Sequence, residues 1–73
     1  MKEYWYAVQI DEEDNNWDRG SYCLITAKRE AEKIGPDAKI AVIDEGDGHD
    51  PICVHVLRQD EYGSWKNEEG RYR

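Results

Sequence analysis

The residues best suited to chemistry are two histidines and two cysteines, three of which lie close together in the second half of the chain. His49, Cys53 and His55 fall within one short stretch, and Cys23 stands apart. Thiolate and imidazole are ligands that zinc prefers. However, the spacing His-x3-Cys-x-His matches no established zinc motif, and no Cys-x2-Cys pair occurs. We therefore interpret Cys53 as a small buried thiol and His55 as a half-exposed imidazole, and we predict no metal or other cofactor.

The acidic loop near the N-terminus carries part of a calcium-loop pattern. Asp14, Asn16 and Asp18 have the spacing of the first, third and fifth positions of such a loop. The sixth position requires glycine but is Arg19, and the twelfth requires glutamate but is Ile25. The pattern is therefore typical of an ordinary loop rich in turn residues.

Catalysis would require a nucleophile, a base and a pocket. Cys53 and His55 would share a face of a regular strand, since side chains alternate, but the sequence offers no oxyanion donors beside them. The segment 45–50, Glu-Gly-Asp-Gly-His-Asp, lacks the lysine and the strand-helix context of a phosphate loop. A chain this short also leaves little room for a deep cleft. We predict that the protein is not an enzyme.

The composition narrows the range of partners. The chain has 73 residues and a formal net charge of -7, which predicts one small domain with a thin core. The negative charge disfavours direct binding to nucleic acid or to an anionic membrane, because no basic patch could release counterions. No apolar stretch is typical of a membrane span or a signal peptide. We therefore expect a cytoplasmic protein with reduced thiols.

Two elements are predicted in the first half of the chain. Alternating aromatic and aliphatic residues predict a strand over 3–11. A polar loop follows, and then a helix is predicted over 27–34, with Thr26 as its N-cap and Gly35 as its C-cap glycine. The apolar stripe of this helix is narrow and consists of Ala27, Ala31 and Ile34.

The second half of the chain predicts a β-hairpin. Two runs rich in β-branched residues, 39–44 and 51–57, are joined by a segment of glycine and aspartate. The predicted domain spans residues 1–58, and residues 59–73 are expected to form a polar, partly mobile tail. The overall prediction is an α+β fold of order β-α-β-β, with a three-stranded, mainly antiparallel sheet and one helix packed on one face. Strand orders 1-3-2, the first half of a ferredoxin-like arrangement, and 1-2-3 both remain open.

The predicted facing of the strands divides the apolar residues between the two sides of the sheet. The side under the helix is expected to hold Val8, Ile10, Ala31, Ile34, Ile40, Val42, Val54 and Val56. The other side is left half apolar, with Trp5, Ala7, Ala41, Ile43, Cys53, His55 and Leu57. Large apolar patches rarely stay exposed. Tyr62 and Trp65 of the tail, a second copy of the chain or a different partner should therefore cover this face.

The function predicted from this face is that of a non-catalytic binding or assembly module, working as a homodimer or with a protein partner. It would use the half-apolar face or a strand edge, which is open to pairing. The candidate interface residues are Trp5, Ala7, Ile43, Cys53, His55, Leu57 and Trp65.

An acidic decoy is the alternative function. Such a protein would occupy the nucleic-acid-binding site of a basic partner. It would present Glu12, Glu13, Asp14, Asp18, Asp44, Glu45, Asp47 and Asp50. The two functions differ in geometry, because a decoy needs these carboxylates on one side of the molecule, whereas a dimer needs apolar residues gathered on the sheet face.

Several segments together resemble small uncharacterised proteins of Gram-positive bacteria. These segments are Tyr-Trp-Tyr-Ala-Val-Gln at 4–9, Trp-Asp-Arg-Gly-Ser-Tyr at 17–22, the short Ala-rich helix, Ile-Ala-Val-Ile-Asp at 40–44 and Asp-Pro-Ile-Cys-Val at 50–54. The resemblance covers about residues 4–57. It implies no particular activity and no functional residue.

Overall fold

The computed structural model describes residues 4–46 and 48–68, which form a single antiparallel sheet and one helix. The elements are β1 (Tyr4–Gln9), β2 (Gly20–Ser21), α1 (Leu24–Ile34), β3 (Lys39–Asp44), β4 (Ile52–Gln59) and β5 (Trp65–Glu68). The strands are arranged in the order β2-β1-β3-β4-β5. The α+β class is therefore confirmed, whereas the sheet formed by these described residues has five strands instead of the predicted three. The helix has eleven residues, and no helix in the described part of the chain is long and apolar enough to cross a membrane.

The three predicted strands lie in the order 1-2-3, and the ferredoxin-like order 1-3-2 is not formed. β3 pairs antiparallel with β1 along its whole length, from Tyr4 opposite Asp44 to Gln9 opposite Lys39. β2 lies on the other side of β1, also antiparallel to it. The helix therefore connects β2 to β3, two parallel strands that flank β1. A helical crossover suits such parallel strands, so the unpredicted strand β2 explains how β1 and β3 can be antiparallel neighbours.

The short strand β2 lies in close backbone contact with β1. Gly20 has a φ of 156°, and a Cβ atom at this position would collide with the backbone of Tyr6 and Ala7. The N–H of Val8 donates to the carbonyl of Arg19 at 2.8 Å, which extends the pairing by one bond. Two residues show no alternation, so the sequence pattern could not reveal this strand.

The helix begins earlier than predicted. Its N-cap is Cys23 in an extended conformation, and Thr26 lies inside the first turn, so the prediction of Thr26 as the N-cap was wrong. The hydroxyl oxygen of Ser21 accepts a hydrogen bond from the N–H of Cys23 at 2.9 Å. Leu24 packs against the core, and this apolar contact explains why the helix includes the additional turn.

The C-terminal end of the helix agrees with the prediction. Gly35 is the C-cap, with a φ of 142°, and its N–H donates to the carbonyl of Ala31 at 3.1 Å. Glycine adopts this positive φ without a steric penalty. Ala27 and Ala31 are buried as expected, but Ile34 is 40% exposed, so its predicted place in the core was wrong.

The apolar residues form two clusters, one on each side of the sheet. On the helix side the buried residues are Val8, Ala27, Ala31, Ala38 and Ile40, with Tyr6, Leu24, Leu57 and Trp65 packed against them. On the far face, away from the helix, the buried residues are Ala7, Ala41 and Ile43, with Trp5 and Cys53 packed against them. Ile10, predicted in the core, is 45% exposed because β1 ends before it.

A β-bulge reverses the facing of β4. Cys53 lies opposite Ile43, whereas His55 lies opposite Val42, and the register shifts between these two β3 residues. Val54 is therefore the extra residue of the bulge. Because Val42 and Ile43 point to opposite sides of the sheet, Cys53 faces away from the helix and His55 faces the helix side.

The bulge also determines which side of the sheet the following residues of β4 face. Leu57 lies opposite Ile40 and packs into the helix-side cluster, while Val56 lies opposite Ala41, a residue of the far face. The predicted facing of His55, Val56 and Leu57 was therefore wrong. One inserted residue is sufficient to reverse the facing of all later side chains in the strand, since the side-chain period of a strand is two.

The interval 59–73, expected to be a polar tail, contains β5. This strand pairs with β4 from Gln59 opposite Trp65 to Val56 opposite Glu68. Trp65 packs on the helix-side cluster and Tyr62 is 84% exposed. Of the three alternatives for covering the far face, cover by these two aromatic residues is therefore excluded. Residues 69–73, for which mobility was expected, lie outside the described residues.

Candidate binding site

The loop 10–19 folds back over the far face of the sheet. The indole N–H of Trp5 donates to the carbonyl of Trp17 at 2.7 Å. The side-chain amide of Gln9 donates to the carbonyl of Asn16 at 3.3 Å. Trp5, Ala7 and Gln9 share this face by the alternation of β1, so the loop helps to bury it. Ala7 and Ile43, both predicted interface residues, are buried within the fold.

Short-range hydrogen bonds shape the same loop. The carboxylate of Asp14 accepts the N–H of Ile10 at 2.8 Å and that of Asn16 at 2.9 Å. These two bonds lower the pKa of Asp14 below its ordinary value, and the bond from Ile10 has the larger effect. The side-chain oxygen of Asn16 in turn accepts the N–H of Asp18 at 2.9 Å. Asp14 and Asn16, two of the three residues that match the calcium pattern, therefore build Asx turns.

Within 4–46 and 48–68, no group of three or more His, Cys, Asp or Glu side chains is placed to hold a metal ion. The thiol of Cys53 donates to the backbone carbonyl of His55 at 3.3 Å. The bulge places the two side chains on opposite sides of the sheet, so they do not form the shared face that a regular strand would provide.

Three aromatic side chains meet at one edge of the far face. The rings of Trp5 and Tyr22 are nearly perpendicular, with an interplanar angle of 73° and centroids 4.8 Å apart. Trp17 lies next to them and is 37% exposed, and Tyr22 is 54% exposed. Together they form a shallow concave surface, which we call the aromatic depression. Its lining residues are Trp5, Trp17, Asp18, Tyr22, Ile43, Glu45 and Pro51.

The aromatic depression is acidic as well as aromatic. The hydroxyl of Tyr22 donates to the carboxylate of Glu45, 3.1 Å from one oxygen and 3.4 Å from the other. Asp18 contributes a second carboxylate to the lining, and the described lining residues include no lysine or arginine. Ring faces carry partial negative charge. The surface therefore combines two chemical features that attract a cation.

The predicted interface residues are divided by the sheet. Trp5, Ala7, Ile43 and Cys53 belong to the far face, whereas Leu57 and Trp65 pack on the helix side, to which His55 also points. The prediction did not include Trp17, Tyr22 or Glu45. For Trp17 a signal existed, because a large aromatic residue in a polar loop usually folds back onto the body. For Tyr22 and Glu45 the sequence contained no such signal, since their contact spans 23 positions.

Four of the carboxylates expected for an acidic decoy lie beyond the two ends of β3. Glu12 and Glu13 follow β1 and, with Asp11 and Asp37, line a second shallow depression near the start of β3. Glu45 and Asp50 follow the other end of β3, a strand that spans about 17 Å. The remaining members differ in their surroundings: Asp14 bonds to the loop backbone, Asp18 lines the aromatic depression, Asp44 is buried and Asp47 lies outside the described residues.

Cys23 directly follows Tyr22, a lining residue of the aromatic depression. Cys23 is exposed and Cys53 is half-buried, and neither forms a disulfide bond. The backbone N–H of Thr26, followed by the Thr26 hydroxyl and the N–H of Ile25, lowers the pKa of the Cys23 thiol. Such stabilisation of a thiolate is typical of the N-terminal end of a helix.

Comparisons of the chain with protein-family models, with curated proteins and with solved structures give no match. The resemblance to small proteins of Gram-positive bacteria stays a prediction.

Proposed function

We propose that the protein is a non-catalytic binding module that engages a protein partner through the aromatic depression. The observation that carries the proposal is the perpendicular pair of Trp5 and Tyr22 beside Trp17, at a concave surface where the rings stay partly exposed. Trp and Tyr are the residues that most often dominate binding energy at protein interfaces. Rings held in place by the fold also lose little conformational entropy on binding.

The rigidity of the site supports a binding role. The Trp5–Trp17 hydrogen bond holds the loop against the sheet, and the Tyr22–Glu45 hydrogen bond joins the chain before α1 to the end of β3. The depression is shallow and open, whereas enzymes usually enclose their substrates. We therefore keep the prediction that the module is not an enzyme. The proposal retains the cytoplasmic location expected from the sequence.

The alternative occupant of the aromatic depression is a second copy of the chain. Light scattering at several protein concentrations separates the two cases. A mass that rises above 8.6 kDa with concentration, and returns to it in the Tyr22→Ala variant, would favour the homodimer. A constant monomer mass would exclude it. The acidic decoy has less support, because its carboxylates occupy both ends of β3.

Selection from a displayed library of random peptides tests the binding module directly. Wild-type protein should enrich a related set of peptides. The Tyr22→Ala variant should lose them, because Tyr22 forms one wall of the depression. Tyr62→Ala is the matched control, since Tyr62 is also an exposed tyrosine but lies in the turn before β5.

Circular dichroism of the same proteins shows whether each variant is folded. Enriched peptides that bind wild type and Tyr22→Ala equally, or a failure of wild type to enrich any peptide, would overturn the proposal.

A further inference from the structure

We propose that the group received by the aromatic depression is the guanidinium of an arginine side chain in a basic segment of the partner. This inference rests on the proposed function and adds the chemical class of the ligand. It is carried by the combination of perpendicular aromatic rings and two carboxylates in one concave surface.

The rings provide the first part of the argument. A cation is attracted to the face of a Trp or Tyr ring when it lies within about 6 Å of the ring centroid. Trp5 and Tyr22 stand at 73° to each other with centroids 4.8 Å apart, and Trp17 adds a third ring to the lining. A group that enters this corner can therefore approach more than one ring, and a flat guanidinium can stack on one of them.

The carboxylates provide the second part. The hydroxyl of Tyr22 bonds to Glu45 and orients it at the rim of the aromatic depression. A carboxylate has about four acceptor positions, so Glu45 retains capacity for a charged donor while it holds Tyr22. Asp18 lies on the same lining. A guanidinium can meet a carboxylate with two parallel N–H···O bonds, which the single ammonium of lysine cannot do.

The net negative charge of the protein also favours a basic ligand. The formal net charge of -7 attracts basic partners and repels phosphate-rich ones. Glu45 is half-buried, so an ion pair made there is screened less by solvent than one at a fully exposed side chain. Charge complementarity thus favours a basic protein segment over a nucleic acid or an anionic lipid.

Nuclear magnetic resonance of the indole N–H groups offers a direct test. The probes are two blocked tripeptides, Gly-Arg-Gly and Gly-citrulline-Gly, which differ in charge but hardly in shape. The arginine peptide should shift the indole signals of Trp5 and Trp17. The signal of Trp65 is the internal reference, because this residue lies on the helix side of the sheet. Saturable binding in about the millimolar range is sufficient for so small a ligand.

The citrulline peptide should bind at least about fivefold more weakly, since it lacks the cation. A Gly-Lys-Gly peptide is expected to bind between the two. Equal binding of the arginine and citrulline peptides, or no saturable shift of the Trp5 and Trp17 signals, would overturn the inference. Shifts of the same size at Trp65 would also overturn it, because they indicate general association.

A matched pair of variants tests the carboxylate. Glu45→Gln keeps an acceptor oxygen for Tyr22 but removes the charge, and it should weaken binding of the arginine peptide about fivefold while leaving the citrulline peptide unchanged. Glu13→Gln removes the same charge at the other depression and should have little effect. Equal losses in the two variants would mean that only net charge matters, which contradicts a specific site.

The peptide selection distinguishes failure of this inference from failure of the proposed function. Tyr22-dependent peptides without basic residues would leave the binding module in place and remove arginine as its ligand. A selection that yields no Tyr22-dependent peptide would remove both.

Discussion

The indole N–H of Trp65 donates a hydrogen bond to a carboxylate oxygen of Glu32 at 3.1 Å, and this bond links the last strand to the helix. The ring of Trp65 also packs against the helix-side cluster. β5 has four residues and pairs only with β4 in the described sheet. Trp65 is therefore the side chain that anchors this strand to the rest of the fold.

Removal of the Trp65 ring should destabilise the protein strongly. We expect Trp65→Ala to lower the free energy of unfolding by about 2–3 kcal/mol, somewhat less than for a fully buried tryptophan. Tyr62→Ala should change it by less than about 0.5 kcal/mol, because Tyr62 is an exposed surface residue. Urea unfolding followed by circular dichroism measures both. Equal effects of the two substitutions would contradict the anchoring role of Trp65.

The turn before β5 should make stability depend on pH in the acid range. The carboxylate of Asp60 accepts the N–H groups of Ser64 and Tyr62, each at 2.9 Å. The bond from Ser64 has the largest effect, and the pKa of Asp60 is lowered below its ordinary value of 3.8. The ionised carboxylate thus stabilises the folded state. This contribution is complete above pH 3.8 and is lost as the pH falls through the lower pKa of the folded state.

Replacement of Asp60 by Asn should reveal this contribution, since it keeps the acceptor oxygen and removes the charge. We expect Asp60→Asn to be less stable than wild type at neutral pH and to lose less stability on acidification. Chemical unfolding at a series of pH values measures the difference. Glu61→Gln removes a charge at the neighbouring position and is the control. Parallel acid curves for wild type and Asp60→Asn would refute the role of this carboxylate.

Gly20 is expected to tolerate no larger residue. An added Cβ would collide with the backbone of Tyr6 and Ala7, which cannot move aside as a flexible side chain could. We expect Gly20→Ala to cost about 1–3 kcal/mol or more, as overpacking does. Gly63→Ala is the control for the positive φ, which is 84° there, because a Cβ at Gly63 meets no atom within 4 Å. Hydrogen exchange at Val8, whose N–H bonds to Arg19, should become faster in Gly20→Ala alone.

The thiol of Cys23 should titrate below its ordinary pKa. The N–H of Thr26, the Thr26 hydroxyl and the N–H of Ile25 lower this pKa from 9.0. The rate of reaction with a thiol reagent, measured against pH in a Cys53→Ala background, should therefore have its midpoint below pH 9.0. Thr26→Ala removes only the hydroxyl, so the midpoint should rise only part of the way. A midpoint at or above the ordinary value in the first protein would contradict the prediction.

Local patterns in the sequence identified the elements whose residues interact mainly with their chain neighbours. The two β-branched runs indicated β3 and β4 because alternation and β propensity act over a few residues. Gly35 indicated the end of α1 because a positive φ at a C-cap is a local requirement. A large aromatic residue such as Trp17 within a polar loop usually folds back onto the body of a protein, and the hydrogen bond from Trp5 to the Trp17 carbonyl places it there.

The tertiary structure decided the features that depend on residues distant in the sequence. β2 and β5 are too short to show a pattern. They form because the edges of β1 and β4 provide backbone N–H and C=O groups with which they pair. The bulge at Val54 decides which side of the sheet His55 and Leu57 occupy. The aromatic depression likewise joins residues from β1, the loop, the chain before α1 and the end of β3. No local pattern encodes such a meeting, because it follows from the order and register of the strands.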